Sequence, residues 1–412
     1  MYKQRYLKDF INKLALERYK MAFISGPRQC GKTVLSKMIL NENKLGSYNN
    51  WDDIDFRRIW TKNPKLIYDN IDSKNINKSI VVLDEIHKER TWKNRLKGLF
   101  DTKSPCKIIV TGSARLNVYK KGGDSLMGRY LNFRLHPFTV GELHKTVKLK
   151  PNEIIKQIFK EKIPTQNQSK KYFKTIIDLM NLGGFPEPFL EGSEEIARIW
   201  RSGRHEKIVR EDLRDLSRIS ELSKVEMLMT LLPAKVSNPM SIQSLREDLE
   251  VAHETCSRWL NYLKELYFIF ELKPYYKSIS RSLKKEEKIY LWDWSELKEK
   301  GALYENMLAS HLLKSVHFWN DTGKGSFDLH YLRDKEKREI DFLITNDKLP
   351  WLAIEAKLKK HELDNNNLAF IKKVNCKHYI QLVLEEDVWD YKKIDDIEIL
   401  FASADSILPF LV

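Results

Sequence analysis

The sequence has few cysteines and no long hydrophobic run. Four cysteines lie far apart in 412 residues, and no two of them form a Cys-x-x-Cys pair. This spacing argues against a disulfide framework and against a zinc site, and it is typical of a protein of the reducing cytoplasm. No stretch approaches the roughly 18 apolar residues of a membrane-spanning helix, so we expect no membrane partner. The basic amino terminus is not followed by the apolar core of a signal peptide.

Length and charge narrow the class of protein further. A chain of this length exceeds one ordinary hydrophobic core and predicts about two or three domains. With 42% hydrophobic and 31% charged residues, the composition is that of a globular protein and excludes a disordered one. The formal net charge of +15 predicts affinity for a polyanion such as DNA, through the release of counterions. A proteome rich in Lys and Asn would produce the same surplus of positive charge. The net charge alone therefore does not identify DNA as the partner, and local sequence features are needed as well.

Hydrophobic patterns divide the chain into four regions. In residues 1–145 short apolar strands alternate with helical patterns, which predicts a parallel α/β sheet. Residues 146–220 read as a charged helical linker or lid, and residues 221–285 as helices followed by a β-ribbon. Strand patterns return in residues 286–412, which predicts a second α/β domain.

The segment GPRQCGKT matches the phosphate-loop pattern GxxxxGK[ST] and lies between an apolar strand and a helix. Its glycines let backbone N–H groups face phosphates at the positive end of the following helix. We expect Lys32 to reach the β- and γ-phosphates and the Thr33 hydroxyl to bind magnesium. The predicted nucleotide is ATP, with GTP as the alternative. The predicted nucleotide-binding residues of the loop are Gly26, Pro27, Arg28, Gln29, Cys30, Gly31, Lys32 and Thr33.

A second feature of nucleotide sites, an acidic pair after a buried strand, occurs in SIVVLDEIHKE. Ligands of α/β folds bind at the carboxyl ends of such strands. Asp84 is therefore predicted to hold the hydrated magnesium ion, and Glu85 to polarise the attacking water as the catalytic base. A further strand, residues 107–111, leads to Ser113, which is predicted to sense the γ-phosphate; a plain turn is the alternative.

These segments resemble those of bacterial and archaeal AAA+-type ATPases that carry a nuclease-like carboxyl-terminal domain. The resemblance covers nearly the whole chain and includes GPRQCGKT, NWDDIDFRR, VVLDEIHK, VTGSARL, SLMGRY, LHPFTVGEL, GGFPEP, GALYENMLASHLL and YLRDKEKREIDFLI. It implies that Arg129, within SLMGRY, senses the nucleotide or acts as a finger on a neighbouring subunit of a homo-oligomer. A loop arginine that binds a helix end is the alternative.

The region 221–285 has the arrangement of a winged helix, two helices followed by a basic ribbon. The last helix is expected to bury the face formed by Cys256, Trp259, Leu260 and Leu263. The ribbon cations are Lys277, Arg281, Lys284, Lys285 and Lys288. Contact with DNA and packing between domains are both compatible with this pattern.

Two later segments place charged side chains on one face of predicted strands. Asp341 alternates with apolar residues in REIDFLI, and Glu355 and Lys357 share a face in LAIEAKL. This D…ExK arrangement resembles the PD-(D/E)XK nucleases, a restriction-endonuclease-like fold, and Glu305 matches an acid that they carry on an earlier helix. We expect Glu305, Asp341 and Glu355 to bind magnesium and Lys357 to activate water or steady a phosphodiester. The alternative is a nuclease-like fold that has lost its chemistry and pairs these charges.

Two functions are compatible with these features. The first is an ATP-driven enzyme that acts on DNA and carries a nuclease tail. The second is a regulatory or assembly switch in which the nuclease-like domain is an inert interaction module. Both require the ATP site, and the net basicity, the basic ribbon and the D…ExK set favour the first.

Overall fold

A computed structural model describes residues 3–69, 71, 74–102, 105–112, 126–145, 150–162, 164–213, 221–275, 286–336, 338–363 and 365–412. The chain forms two compact units, Met1–Pro137 and Phe138–Val412. The first unit thus ends earlier than the predicted boundary at residue 145. The regions predicted as a linker, a winged helix and a nuclease-like domain all belong to the second unit.

The first unit contains one parallel sheet. Its strands are β1 (Met21–Ser25), β2 (Gly46–Asn50), β3 (Ile80–Asp84), β4 (Lys107–Thr111) and β5 (Tyr130–Arg134). Its main helices are α1 (Lys32–Asn43), α2 (Ile54–Lys62) and α3 (Trp92–Asp101). The five strands are all parallel and have the order β2-β3-β4-β1-β5. The predicted parallel α/β fold is confirmed, and the carboxyl ends of β1, β4 and β3 meet at one edge.

Apolar packing holds this sheet. Every residue of β1 and β3 is buried, which explains the continuous apolar character of both strands. Phe23 stacks on Tyr130 with ring centroids 4.2 Å apart. The same cluster buries Trp60 of α2 and Trp92 of α3. The core therefore lies between these two helices and the sheet, and it fixes the strand ends from which the site residues project.

The second unit begins with helices and continues into a large mixed sheet. The first helices are α4 (Val140–His144), α5 (Pro151–Ile158), α6 (Gln166–Leu182), α7 (Pro186–Glu191), α8 (Glu194–Lys207), α9 (Leu222–Leu231), α10 (Ile242–Leu249) and α11 (His253–Glu265). The strands are β6 (Ile269–Pro274), β7 (Lys288–Leu291), β8 (Phe327–Arg333), β9 (Glu339–Asn346), β10 (Leu349–Lys357), β11 (His378–Val383), β12 (Trp389–Ile394) and β13 (Ile397–Ser403). The remaining helices are α12 (Lys300–Asp321), α13 (Asn365–Val374) and α14 (Ala404–Ile407).

The eight strands have the order β12-β13-β11-β10-β9-β8-β6-β7. At the centre, β9 and β10 are antiparallel, and β10 and β11 are parallel. The helix α12 lies over the sheet and buries much of its length. This arrangement brings β9, β10 and one end of α12 together.

A buried ion pair fastens α4 to α12. The Nζ atom of Lys314 lies 2.5 Å from Oε2 of Glu142 and donates to Oγ1 of Thr139 at 3.0 Å. The backbone N–H of Val140 donates to Nε2 of His311 at 3.3 Å. Burial lowers the pKa of His311 to about 3, so the ring stays neutral and can accept this hydrogen bond. The segment LHPFTVGEL thus leads the chain into the core of the second unit.

The helices α10 and α11 are followed by the antiparallel pair β6 and β7, as the winged-helix pattern requires. The expected face of α11 is buried, since its buried residues are Cys256, Trp259, Leu260 and Leu263. However, β6 also pairs with β8, so the two strands form one edge of the large sheet. Four of the predicted ribbon cations, Lys277, Arg281, Lys284 and Lys285, lie outside the described residues. The winged-helix assignment stays a prediction.

All four cysteines are free thiols in buried positions. Among the residues that the structure describes, no helix is both long enough and apolar enough to cross a membrane.

Candidate functional site

The phosphate loop folds as its glycines require. Gly26 follows β1 with a φ of 151°, and Gly31 precedes α1 with a φ of 95°. A β-carbon on Gly26 would lie 2.2 Å from the carbonyl oxygen of Leu135, so a side chain does not fit there. Gln29 is exposed and also has a left-handed backbone, with a φ of 60°. The loop therefore ends at the amino terminus of α1, where the helix dipole favours an anion.

Lys32 lies inside this loop. Its Nζ atom donates to the carbonyl oxygens of Gly26 at 3.0 Å and of Pro27 at 2.7 Å. The residue is only 6% exposed, and burial lowers the pKa of its ammonium, while Glu85 opposes that shift. The cation is therefore held at the loop, in the position from which it is predicted to contact phosphates.

Asp84 is the centre of a hydrogen-bond cluster at the carboxyl edge of the sheet. Thr33 donates to its Oδ2 atom at 2.7 Å, and Thr111, at the end of β4, donates to Oδ1. The hydroxyl of Tyr48, on β2, donates to Oδ2 at 2.6 Å. The two predicted magnesium ligands, Thr33 and Asp84, are thus brought together by the fold.

This pair of oxygens fits a magnesium ion. Neighbouring ligands of an octahedral ion with bonds of about 2.1 Å lie about 3 Å apart. The separation of 2.7 Å between Oγ1 of Thr33 and Oδ2 of Asp84 is close to that value. Hard oxygen donors are the ligands that magnesium prefers.

Tyr48 was not predicted from the sequence, although its hydroxyl donates to Asp84. Burial and the hydrogen bond to Asp84 raise the pKa of Tyr48 above its ordinary range, so the phenol stays a donor. The ammonium of Lys37 lies over its ring at 4.1 Å from the centroid. The available signal was a tyrosine in a polar strand that directly follows α1.

Glu85 follows β3 in a left-handed conformation, with a φ of 56°. Its Oε2 atom lies 3.6 Å from Nε2 of the buried His87. Burial raises the pKa of Glu85; Lys32 opposes the shift and Asp84 adds to it. A non-glycine residue in this conformation costs about 1–3 kcal/mol. The carboxylate therefore combines strained placement with raised basicity.

Arg5 is a second residue that was not predicted from the sequence, and its side chain contacts the phosphate loop. The buried guanidinium of Arg5 donates to the carbonyl oxygens of Cys30 and His136. The Sγ atom of Cys30 lies 3.4 Å from the carbonyl oxygen of Leu135. Cys30 is therefore a buried anchor of the loop, and the loop is tied to the chain that follows β5.

The two remaining candidates of this site differ in outcome. Ser113 lies outside the described residues. Arg129 precedes β5, and its carbonyl oxygen accepts from the N–H group of Met21 at 3.0 Å, beside the start of β1. It therefore lies at the amino edge of the sheet, whereas the phosphate loop follows the other end of β1, at roughly 3.3 Å per residue along the strand.

The side chain of Arg129 binds a helix end. Its Nε and Nη2 atoms donate to the two carboxylate oxygens of Asp101 at 2.6 and 3.0 Å, and Asp101 is the last residue of α3. This bidentate pair corresponds to the alternative given above. Sensing of the nucleotide bound by the same chain is not supported by this position, and the role as a finger towards a neighbouring subunit stays a prediction.

In the second unit, the four predicted residues of the nuclease-like site are neighbours. The Oδ2 atom of Asp341 accepts from the N–H group of Ala356 at 2.9 Å, which places its carboxylate beside Glu355. The Nζ atom of Lys357 lies 2.8 Å from Oε1 of Glu355. Glu305 acts electrostatically on both Asp341 and Lys357. We call this set, with the residues added below, the carboxylate cluster.

A buried lysine stands inside the carboxylate cluster. Lys288, which the sequence assigned to the exposed basic ribbon, has its Nζ atom 2.6 Å from Glu339, 3.3 Å from Glu305 and 3.7 Å from Asp341. Its relative exposure is 0%. The assignment to a DNA-contacting ribbon is therefore wrong for Lys288, because pairing in β7 turns it towards the three carboxylates. The signal was the alternation in KIYL, which puts Lys288 and Tyr290 on one face.

The cluster does not fit a metal ion. In the described part of the chain, no group of three or more His, Cys, Asp or Glu side chains is arranged to hold one. Burial raises the pKa of Asp341 to about 7, and Glu305 adds to the shift while Lys288 opposes it. Burial alone would lower the pKa of Lys288, but the carboxylates outweigh it and raise the value. This geometry does not support the predicted ligation of magnesium by Glu305, Asp341 and Glu355.

The first unit is thus a P-loop nucleotide-binding fold, defined by the loop after β1, the acid after β3 and the strand order. Comparison with protein families agrees: residues 18–144 match the family described as AAA domain. Residues 173–297 and 300–400 match two domains of unknown function (DUF8612 and DUF4143). The prediction of an AAA-type P-loop domain is confirmed, and the nuclease-like assignment stays a prediction, because neither later description names a nuclease.

The chain is also similar to several whole proteins. An uncharacterised protein of Methanocaldococcus jannaschii is 25% identical over 388 residues, which cover 86% of this chain and 79% of the relative. The Walker-type ATPase of Pyrococcus abyssi is 17% identical with a TM-score of 0.44, over 71% of this chain and 94% of that one. The Aeropyrum pernix Orc1 protein, solved in complex with DNA, is 13% identical with a TM-score of 0.33, over 75% of this chain and 94% of that one.

Proposed function

We propose that this protein is a magnesium-dependent ATP hydrolase that couples ATP binding and hydrolysis to action on DNA. The observation that carries the proposal is the pair of Thr33 and Asp84, whose oxygens lie 2.7 Å apart beside a loop that already encloses Lys32. Phosphates, a divalent cation and a nearby carboxylate base are what this arrangement is suited to position.

Each residue has a specific task in this proposal. The loop backbone and Lys32 hold the β- and γ-phosphates, and Thr33 and Asp84 hold magnesium, which neutralises charge on the phosphates when it is bound. Tyr48 and Thr111 orient Asp84 through their hydroxyl groups. Glu85 accepts a proton from the attacking water, for which its raised pKa is an advantage.

The action on DNA is supported by charge. A net charge of +15 favours a polyanion, and much of the binding free energy should come from released counterions. The sequence concentrates cations at Lys284 and Lys285 and in the preceding residues of the ribbon. Contacts of this kind bind phosphates, so we expect weak dependence on base sequence.

The test measures binding of a labelled duplex to the full chain across a range of salt concentrations. We expect the affinity to fall steeply as the salt concentration rises. The double variant Lys284→Ala/Lys285→Ala should bind more weakly, and its affinity should depend less on salt. The matched control is Lys62→Ala/Lys65→Ala, which removes two exposed cations of the first unit. Absence of binding at low salt, in protein that still hydrolyses ATP, would refute the action on DNA.

A specific observation supports a second candidate, a nucleotide-dependent regulatory or assembly switch with an inert nuclease-like domain. The buried ammonium of Lys288 occupies the carboxylate cluster in which a metal-dependent nuclease would bind its ion. The two candidates are separated by incubating supercoiled plasmid with the protein and Mg²⁺ or Mn²⁺, with and without ATP. Nicking that disappears in Asp341→Asn supports the nuclease tail, and intact plasmid in every condition supports an inert nuclease-like domain, as the switch requires.

A further inference from the structure

We infer that the ammonium of Lys288 is the resident cation of the carboxylate cluster and that it excludes a divalent metal ion from it. The inference concerns the second candidate function and does not depend on ATP hydrolysis. It assigns to Lys288 a role that neither its place in the sequence nor the D…ExK pattern indicated.

The position of Lys288 carries the argument. Its ammonium contacts carboxylates from two separate elements, Glu305 on α12 and Glu339 and Asp341 on β9. At the protein surface, water would compete with such ion pairs, but the side chain of Lys288 is only 1% exposed. The residue is also fixed through its backbone, because β7 pairs with β6. A buried ammonium with three carboxylates around it is held in place by both pairing and burial.

The charges of the cluster are already close to balance. Four carboxylates, those of Glu305, Glu339, Asp341 and Glu355, face three cations. The cations are Lys288, Lys357 on Glu355, and Arg333, whose Nη1 atom lies 2.8 Å from Glu339. One net negative charge remains when all groups are ionised. Adding a divalent ion to this set would leave a net charge of +1, whereas without Lys288 the remaining charge of −2 would match one divalent ion.

The neutral hydroxyl groups of the cluster are also committed. Tyr290 donates to Oε1 of Glu305 at 2.8 Å, and Tyr379 donates to Oε2 of Glu355 at 2.7 Å. The oxygens nearest to Lys288 stand 2.6 to 3.7 Å from its nitrogen, distances that suit an ammonium. Magnesium needs oxygens at about 2.1 Å, which is shorter than any of these distances, so an ion in place of the ammonium would require the carboxylates to move inward.

The test counts bound Mn²⁺ by isothermal titration calorimetry on the full chain without nucleotide. The four proteins are wild type, Asp341→Asn, Lys288→Ala and the double variant Lys288→Ala/Asp341→Asn. We expect wild type and Asp341→Asn to bind equal numbers of Mn²⁺ ions. Lys288→Ala should bind one additional ion, which the double variant should lose, because removing the ammonium opens a cage of three carboxylates.

Two results would overturn the inference. One is a wild-type protein that binds one Mn²⁺ more than Asp341→Asn, since the cluster would then hold metal in the presence of the lysine. The other is a folded Lys288→Ala protein that gains no Mn²⁺. If Lys288→Ala does not fold, the comparison of wild type with the nearly isosteric Asp341→Asn still decides. The ATPase proposal is unaffected by either result, because Asp84 and Thr33 are present in all four proteins.

Discussion

Replacing Glu85 by Gln should stop ATP hydrolysis and leave ATP binding intact. The change keeps the size of the side chain and the backbone conformation, so the fold of the site should be unchanged. It removes the carboxylate that would accept a proton from the attacking water. General bases contribute about 100-fold to 10,000-fold in rate, which corresponds to about 3–5 kcal/mol in the barrier. Nucleotide affinity should stay the same or rise, because a negative charge near the phosphates is lost.

The structure also predicts how this activity depends on pH. Burial raises the pKa of Glu85 above its ordinary value of 4.5, with a further increase from Asp84. A protonated base cannot accept a proton, so hydrolysis is expected above that pKa and is lost as the pH falls through it. The acidic limb of the rate profile should therefore lie at a higher pH than an exposed glutamate would give. That limb should be absent from any residual activity of Glu85→Gln.

The assay is steady-state release of phosphate, with binding of a fluorescent ATP analogue measured on the same preparation. The matched control is Glu89→Gln, a nearby acid whose Oε1 atom accepts from the N–H and hydroxyl groups of Thr91. That variant should hydrolyse ATP at nearly the wild-type rate. Wild-type hydrolysis in Glu85→Gln would show that another group is the base, and equal losses in both variants would show a structural effect.

Three further predictions concern the remaining features. Lys32→Ala should abolish nucleotide binding in the fluorescence assay, since the loop loses its enclosed ammonium; unchanged affinity would contradict this. If Arg129 is a finger, hydrolysis per subunit should rise with protein concentration and Arg129→Ala should remove most of it, whereas Asp101→Asn should not; equal effects would favour a role confined to the α3 end. Lys314→Met should lower the free energy of unfolding by about 3–5 kcal/mol, measured with urea, because the buried Glu142 loses its ion pair with Lys314. The double variant with Glu142→Gln should recover part of this loss.

Local sequence was sufficient for the nucleotide site. A phosphate loop needs glycines where φ is positive and a helix directly after it, and Gly26 and Gly31 meet both needs within a few residues. The acid at the end of a buried strand is equally local, because a continuous apolar run predicts where β3 ends. Thr33 and Asp84 could therefore be assigned to one site before their separation was known.

Alternation along single strands also predicted correctly that Asp341, Glu355 and Lys357 come together. Period two sets which side chains share a face, and this holds for any strand in any sheet. What alternation cannot supply is the neighbour that approaches that face from another element. Lys288 lies far from Asp341 in sequence, and the alternation in KIYL shows which face the lysine shares but not that three half-buried carboxylates meet it there.

Only the tertiary structure decided the partners that give these residues their chemistry. Tyr48 reaches Asp84 because β2 pairs with β3, and Arg5 reaches the phosphate loop because the amino-terminal segment packs beneath it. The boundary between the two units also depends on distant residues. Glu142 belongs to the second unit because it pairs with Lys314 on α12, a helix that begins far along the chain. Conformation and periodicity act over a few residues and can be inferred from the chain. Burial and charge pairing depend on which distant elements meet. For this reason Lys288, which was predicted to be a cation of the basic ribbon, is instead buried at the centre of the carboxylate cluster.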